Sequence, residues 1–140
     1  MKKIVLLFAC LIIAGICRAE KVWHFQVDGI KYNISEGNTV VLREGCLKEY
    51  GVEHVEIPPY VTYNSVTYKV TAIEEAAFRW KSKLKSIVLP NTLERIEYQA
   101  FFECTALTSI DIPASVKKIG IEAFMGCTGL TSLTLPNNDG

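Results

Sequence analysis

One apolar register recurs every 23 positions through the second half of this chain. Leu84, Ile87, Leu89, Pro90, Leu93, Ile96, Ala100, Phe101 and Cys104 return as Leu107, Ile110, Ile112, Pro113, Val116, Ile119, Ala123, Phe124 and Cys127. A third copy opens at Leu130, Leu133, Leu135 and Pro136. A unit this short cannot bury its apolar face alone, so copies must stack and share one continuous core. The spacing therefore predicts a solenoid in which residues 23 apart lie side by side.

The repeat continues upstream in altered form. Val52, Val55, Ile57 and Pro58 share the opening pattern but precede Leu84 by 32 residues, whereas Val70, Ile73, Ala77 and Phe78 precede Leu93, Ile96, Ala100 and Phe101 by 23. Nine extra residues thus fall between Pro58 and Val70. Val61 to Tyr68 reads as two β-prone runs around Asn64-Ser65, so residues 59–69 are expected to form a hairpin insert, with Val61 and Tyr63 sharing a face with Val66 and Tyr68. Lys81 replaces the repeat cysteine in this unit. Ahead of it, Trp23 to Ile34 alternates around Asp28-Gly29, a strong hairpin signal. A two-residue loop pairs Val27 with Ile30, Phe25 with Tyr32 and Trp23 with Ile34, all on one face, and Thr39 to Arg43 reads as a third strand. The expected fold class is α/β: a leucine-rich repeat solenoid with short parallel strands on one face, short helices on the other, and an N-terminal β-hairpin cap. Residues 20–51 form the cap and 52–140 the solenoid, with repeats starting at 52, 84, 107 and 130. Within one coil, Leu84 to Leu89 makes the strand and Pro90 ends it, having no N–H for the ladder. Residues 93–96 then turn, and Glu97 to Glu103 forms a short helix facing Ala100 and Phe101 inward.

The first 19 residues read as a signal peptide. Lys2 and Lys3 precede an apolar run from Ile4 to Ile16, followed by Cys17-Arg18-Ala19. Thirteen apolar residues fall short of the roughly 20 that span a bilayer, so cleavage after Ala19 and export are expected. The alternatives are an uncleaved anchor, or lipidation at Cys10, whose preceding Leu7-Phe8-Ala9 fits a lipoprotein box poorly. Removal of Lys2, Lys3 and Arg18 takes the net charge from zero to −3. Such a chain has no basic field for nucleic acid or anionic membrane. Lys81, Lys83 and Lys85 cluster, but with Glu94 and Glu97 nearby they read as a solvated face.

Three cysteines remain, Cys46, Cys104 and Cys127. Cys104 and Cys127 share a column and are expected as stacked buried thiols. Reach does not exclude a disulfide between them, and export permits one. Cys46 has no evident partner, and no cysteine or histidine spacing suggests zinc. The residues between the inward ones fill the strand face in three columns: Glu53, Lys85, Thr108, Thr131; His54, Ser86, Ser109, Ser132; and Glu56, Val88, Asp111, Thr134. From these, the candidate binding face is His54, Glu56, Lys85, Ser86, Val88, Ser109, Asp111, Ser132 and Thr134. Small hydroxyl residues also suit closely spaced parallel strands without any ligand. His54 beside Ser86, with Asp111 one strand on, leaves serine between the other two. A catalytic triad needs the acid behind the imidazole, so no enzyme is expected. Glu53 and Glu56 beside His54 suggest at most weak cation binding, and His24 is expected to face solvent. Asn33-Ile34-Ser35 matches a eukaryotic glycosylation acceptor, which the bacterial-type signal makes irrelevant. No catalytic, metal or cofactor site is expected.

The repeat from Leu107 to Cys127 resembles that of BspA-type leucine-rich repeat proteins of bacterial surfaces. Val27 to Tyr32 and Val61 to Val70 are similar to the cap and hairpin that introduce such arrays. The resemblance implies a bacterial protein that is secreted, on the cell surface or periplasmic, and that adheres to or binds protein or glycan on a host or another cell. It implies no catalytic residues. Adhesins of this kind have longer arrays, and Leu135-Pro136-Asn137-Asn138-Asp139 lacks the threonine and apolar tail of a sortase signal. The alternative is a structural module that self-associates through an uncapped last coil, or a fragment of a longer surface array.

Overall fold

The computed structural model describes residues 25–47 and 51–136. The expected signal peptide, Trp23 and His24 lie outside them. β1 (Phe25–Val27) and β2 (Ile30–Ile34) pair antiparallel, with Val27 opposite Ile30 and Phe25 opposite Tyr32. Asp28 and Gly29 between them have φ of 47° and 80°, as a turn matched to strand twist requires. Phe25, Ile30 and Tyr32 are buried, while Ile34, at the strand's end, is exposed. β3 (Thr39–Leu42) follows and pairs antiparallel with β2.

From Val52 the chain winds in coils. β4 (His54–Glu56) opens the first. β5 (Tyr60–Tyr63) and β6 (Val66–Ile73) form the expected hairpin, with Val61 opposite Tyr68 and Tyr63 opposite Val66. Its turn residues Asn64 and Ser65 are both left-handed, at φ 50° and 63°. Tyr63 stacks on Phe25 at 4.5 Å between ring centroids, which ties this insert to the first hairpin. The later coils supply β7 (Ser86–Val88), β8 (Arg95–Ile96), β9 (Ser109–Asp111), β10 (Lys118–Ile119) and β11 (Ser132–Thr134).

Two parallel ladders result. The first runs in the order β11-β9-β7-β4. Val55 lies opposite Ile87, Ser86 opposite Ser109 and Leu133 opposite Ile110, so the 23-residue column is physical. The second was not expected: residues 93–96 do not simply turn but contribute β8, and β3-β6-β8-β10 form a parallel run. The amides of Glu74, Glu97 and Gly120 donate in series to the carbonyls of Leu42, Ile73 and Ile96 at 2.7–2.8 Å. β3 therefore stacks as a coil strand, one layer above the first full repeat.

The third side corrects the expected helices, since no helix occurs among the described residues. Between Glu97 and Cys104 the amides alternate in duty. Those of Ala100, Phe102 and Cys104 close tight turns onto Glu97, Gln99 and Phe101, while those of Gln99, Phe101 and Glu103 reach the next coil at Ile121, Ala123 and Met125. A seven-residue helix would satisfy few of its own amides. The turn ladder satisfies all six. Left-handed residues make this possible at two repeating positions, Ala76, Gln99 and Glu122, then Trp80, Glu103 and Gly126. Only the last of these is glycine. The side chains still point as expected: Ala77, Phe78, Ala100, Phe101 and Cys104 are buried. Phe78, Phe101 and Phe124 stack face to face at 5.2 and 5.3 Å. Cys104 and Cys127 donate their thiols to the carbonyls of Phe78 and Phe101, both at 3.0 Å. Cys46 donates to Ala77 at 3.3 Å. All three thiols are free.

Candidate functional site

The β4-β7-β9-β11 sheet presents the sequence-derived candidates on one face. Period-two alternation turns Val55, Ile87 and Ile110 inward, so their neighbours point to solvent. Pairing then sets the columns: His54 beside Ser86, Ser86 beside Ser109, Ser109 beside Ser132; Glu56 beside Val88 and Asp111 beside Thr134. Lys85 immediately precedes β7 and pairs with Glu53 at 2.7 Å. That bond and charge hold the Glu53 carboxyl below its usual range. Along the same edge Thr108 and Thr131 donate to the carbonyls of Lys85 and Thr108 at 3.3 and 3.2 Å. The edge hydroxyls thus serve the coil stack itself. Those of Ser109, Ser132 and Thr134 stand on exposed residues of the face.

His54 Nδ1 and Ser86 Oγ are 2.7 Å apart, which fixes the imidazole. Asp111 lies opposite Thr134, two residues along the strand from Ser109, so it does not back the ring. The serine sits between histidine and acid, an order that cannot relay a proton from serine through imidazole to carboxylate. Among the described residues no three His, Cys, Asp or Glu side chains converge as a metal-ligand set. Glu53 is paired with Lys85 just ahead of β4, and Glu56 stands at the strand's other end. No helix among the described residues is long and apolar enough to cross a membrane.

Two features of the surface were not foreseen. The Asp28-Gly29 turn of the first hairpin comes down beside β4. Asp28, Ile30 and Glu56 line both of two adjoining hollows there, of about 280 and 290 Å³, the first shared with His54. The Asp-Gly pair signalled the turn, but only tertiary packing brings it to β4. On the turn side, Trp80 is 60% exposed with the Arg79 guanidinium 4.0 Å above its ring. That arrangement depends on the left-handed backbone of Trp80, which its residue type does not announce.

Residues 40–139 match the BspA type leucine rich repeat region, in six copies. The chain belongs to the BspA-type leucine-rich repeat family. Solved structures agree with the match. The chain is similar to a leucine rich cell surface protein from Faecalibacterium prausnitzii A2-165, with 30% identity over 77% of this chain and 29% of that one, at a TM-score of 0.66. A leucine-rich repeat protein from Bacteroides ovatus ATCC 8483 gives 28% identity over 81% and 42%, at 0.57. Another from Bacteroides capillosus ATCC 29799 gives 25% identity over 80% and 97%, at 0.58. This BspA-type chain therefore spans less than half the length of the first two. No match is found among curated proteins. The six matched copies begin at Val40, which agrees with β3 stacking as a coil strand.

Proposed function

We propose that this BspA-type chain is an exported, non-enzymatic binding module that recognises a protein or glycan on a host or neighbouring cell. The β4-β7-β9-β11 face is its contact surface. The observation that carries the reading is the in-register exposure of His54, Glu56, Val88, Ser109, Asp111, Ser132 and Thr134 on one parallel sheet. A regular rigid sheet offers side chains whose ordering cost is already met by folding. The similar cell surface protein from F. prausnitzii supports an external location, as does the charged and apolar start at residues 1–19. The hairpin β1-β2 serves as the cap of the stack: β2 pairs antiparallel with β3 and so takes up the edge at which the parallel ladder begins.

The test is solid-phase binding of the chain to epithelial monolayers and to immobilised mucin, each before and after protease or periodate treatment. Asp111→Ala and Ser132→Ala together are expected to weaken binding by roughly tenfold, equivalent to about 1.4 kcal/mol. Binding that ignores both substitutions would exclude this face. A second reading, self-association, is favoured by Ile121, Met125 and Leu135, which are 78%, 55% and 54% exposed on the last described coil. Sedimentation showing mass that grows with concentration, and stops growing in Ile121→Lys/Leu135→Lys, would support it over recognition.

A further inference from the structure

Trp80 is a large surface ring at a place where the coil does not need one. The same position in the next two coils holds Glu103 and Gly126, and all three residues are left-handed, at φ of 60°, 57° and 78°. A positive φ is an outlier for a bulky residue, so glycine would serve the turn better. Trp80 is nonetheless 60% exposed. The Arg79 guanidinium covers one face of its ring at 4.0 Å and also lies over Phe102 at 5.2 Å. The exposed surface is therefore the rest of the indole, its other face and its rim. Arg79 makes no hydrogen bond or ion pair among the described residues, and its Nε is buried without a partner. Glu103 does not serve it, since its carboxyl lies over Gly126, where a Cβ would meet that group at 2.6 Å. Two rings thus orient a guanidinium whose donors have no acceptor within the described chain, and an orphaned donor of this kind calls for one from outside.

We propose that Arg79 and Trp80 form a platform for an acidic sugar: a pyranose lies on the indole, and its carboxylate or sulfate meets the guanidinium. This site is on the turn side and adds a second contact to the strand face. The C–H-rich face of a pyranose carries partial positive charge and suits the negative face of an aromatic ring. Carboxylate and sulfate oxygens match the paired N–H groups of an arginine fork. Lys83, exposed and without an ion pair among the described residues, adds positive charge on the same loop. An extended peptide is a poorer occupant, because strand addition needs free backbone groups. Here the amides of Trp80, Lys81 and Ser82 already donate to the carbonyls of Phe102, Phe78 and Trp80. A free anion would leave the indole unused.

The test is NMR of the Trp80 indole N–H and the Arg79 Nε–H in the full chain, titrated with methyl glucuronide, a glucose sulfate, methyl glucoside and acetate. Both signals are expected to shift with an acidic sugar, at roughly tenfold lower concentration than with the neutral glucoside or with acetate alone. The tighter of the two acidic sugars names the anion. Trp80→Gly, which places at this turn the residue that Gly126 supplies two coils on, is expected to keep the amide spectrum of the fold and lose the Arg79 shift, while Trp80→Phe retains a ring and part of the binding. Arg79→Gln is expected to bring the acidic sugars down to the affinity of the neutral one. No shift from either acidic sugar, an equal response to methyl glucoside, or acid preference surviving in Arg79→Gln would each overturn the proposal. Asp111→Ala/Ser132→Ala is expected to leave these shifts intact, so loss of cell binding in that variant and loss of sugar binding in the others report separately on the strand face and on the platform.

Discussion

Replacing Phe101 by alanine probes the stacked core where it is most constrained. Phe101 is fully buried and lies between two parallel rings, Phe78 at 5.2 Å and Phe124 at 5.3 Å, with interplanar angles of 4° and 5°. Phe-to-Ala changes in cores cost about 3–5 kcal/mol from lost transfer energy and the cavity left behind. Each aromatic pair adds about 0.5–1.5 kcal/mol beyond burial, and here two pairs are lost, so the upper end of the range applies. Collapse cannot relieve the cavity, because the coil above and the coil below are held by the amide ladder of Phe78 to Ala100 and Phe101 to Ala123. Among the described residues Phe124 has one ring partner, and it is only partly buried. Its truncation should cost roughly half as much, since about half the contacts are lost. Urea unfolding followed by circular dichroism measures both. A typical domain is stable by about 5–15 kcal/mol, so Phe101→Ala should shift the midpoint greatly or unfold the chain, while Phe124→Ala unfolds at an intermediate midpoint. Equal losses in the two variants would refute the stacked arrangement.

Other outcomes follow from single positions. Gly120→Ala should lower stability by about 2–3 kcal/mol by overpacking, because a Cβ there would sit 2.5 Å from the backbone of Glu97 and Tyr98, which cannot give way; thermal denaturation checks it, and a neutral result would contradict the close coil contact. Burial pushes the Cys46 thiol up to about 12, whereas Cys127 is the one of the three free thiols that is only partly buried. A thiolate-specific reagent at neutral pH should therefore label Cys127 first and Cys46 only on unfolding, as peptide mass mapping would show. Lys69 holds the Glu94 carboxyl below its usual range, so this pair's contribution to the fold is complete above the ordinary carboxylate pKa and is lost as pH falls from there through the lowered pKa of the folded state. Glu94→Gln should flatten the acid side of the urea-midpoint profile, and an unchanged slope would mean the pair contributes nothing.

The strand face was legible because its signal is arithmetic. Val55, Ile87, Ile110 and Leu133 hold fixed steps from prolines that end each strand, and parallel pairing follows once coils return in one direction. Asp28-Gly29 and Asn64-Ser65 announced both hairpins because two-residue turns demand left-handed residues. The turn side was not legible as such. Ala100, Phe101 and Cys104 have a spacing that a helix face would also show, and the residues that settle the matter, Gln99 and Glu103, adopt positive φ without being glycine or asparagine. Gly126 was the one clue in that column. The second ladder was hidden because Arg95–Ile96 and Lys118–Ile119 are too short to show alternation. The place of β3 as an added coil was masked by the insert, which sets Val40 thirty residues before its partner Val70. The face columns could be read from sequence, but the hollow beside them could not, since Asp28 reaches β4 only through the packing of Ile30 and Leu47.

Methyl-to-methyl nuclear Overhauser effects test the stacked columns most directly. Val55, Ile87, Ile110 and Leu133 should give a linear chain of contacts, each to the next and none skipping a coil, matching strands paired in the order β4-β7-β9-β11. Contacts joining Ile87 to Leu133 directly, or none between Ile87 and Ile110, would contradict the solenoid and the face built on it.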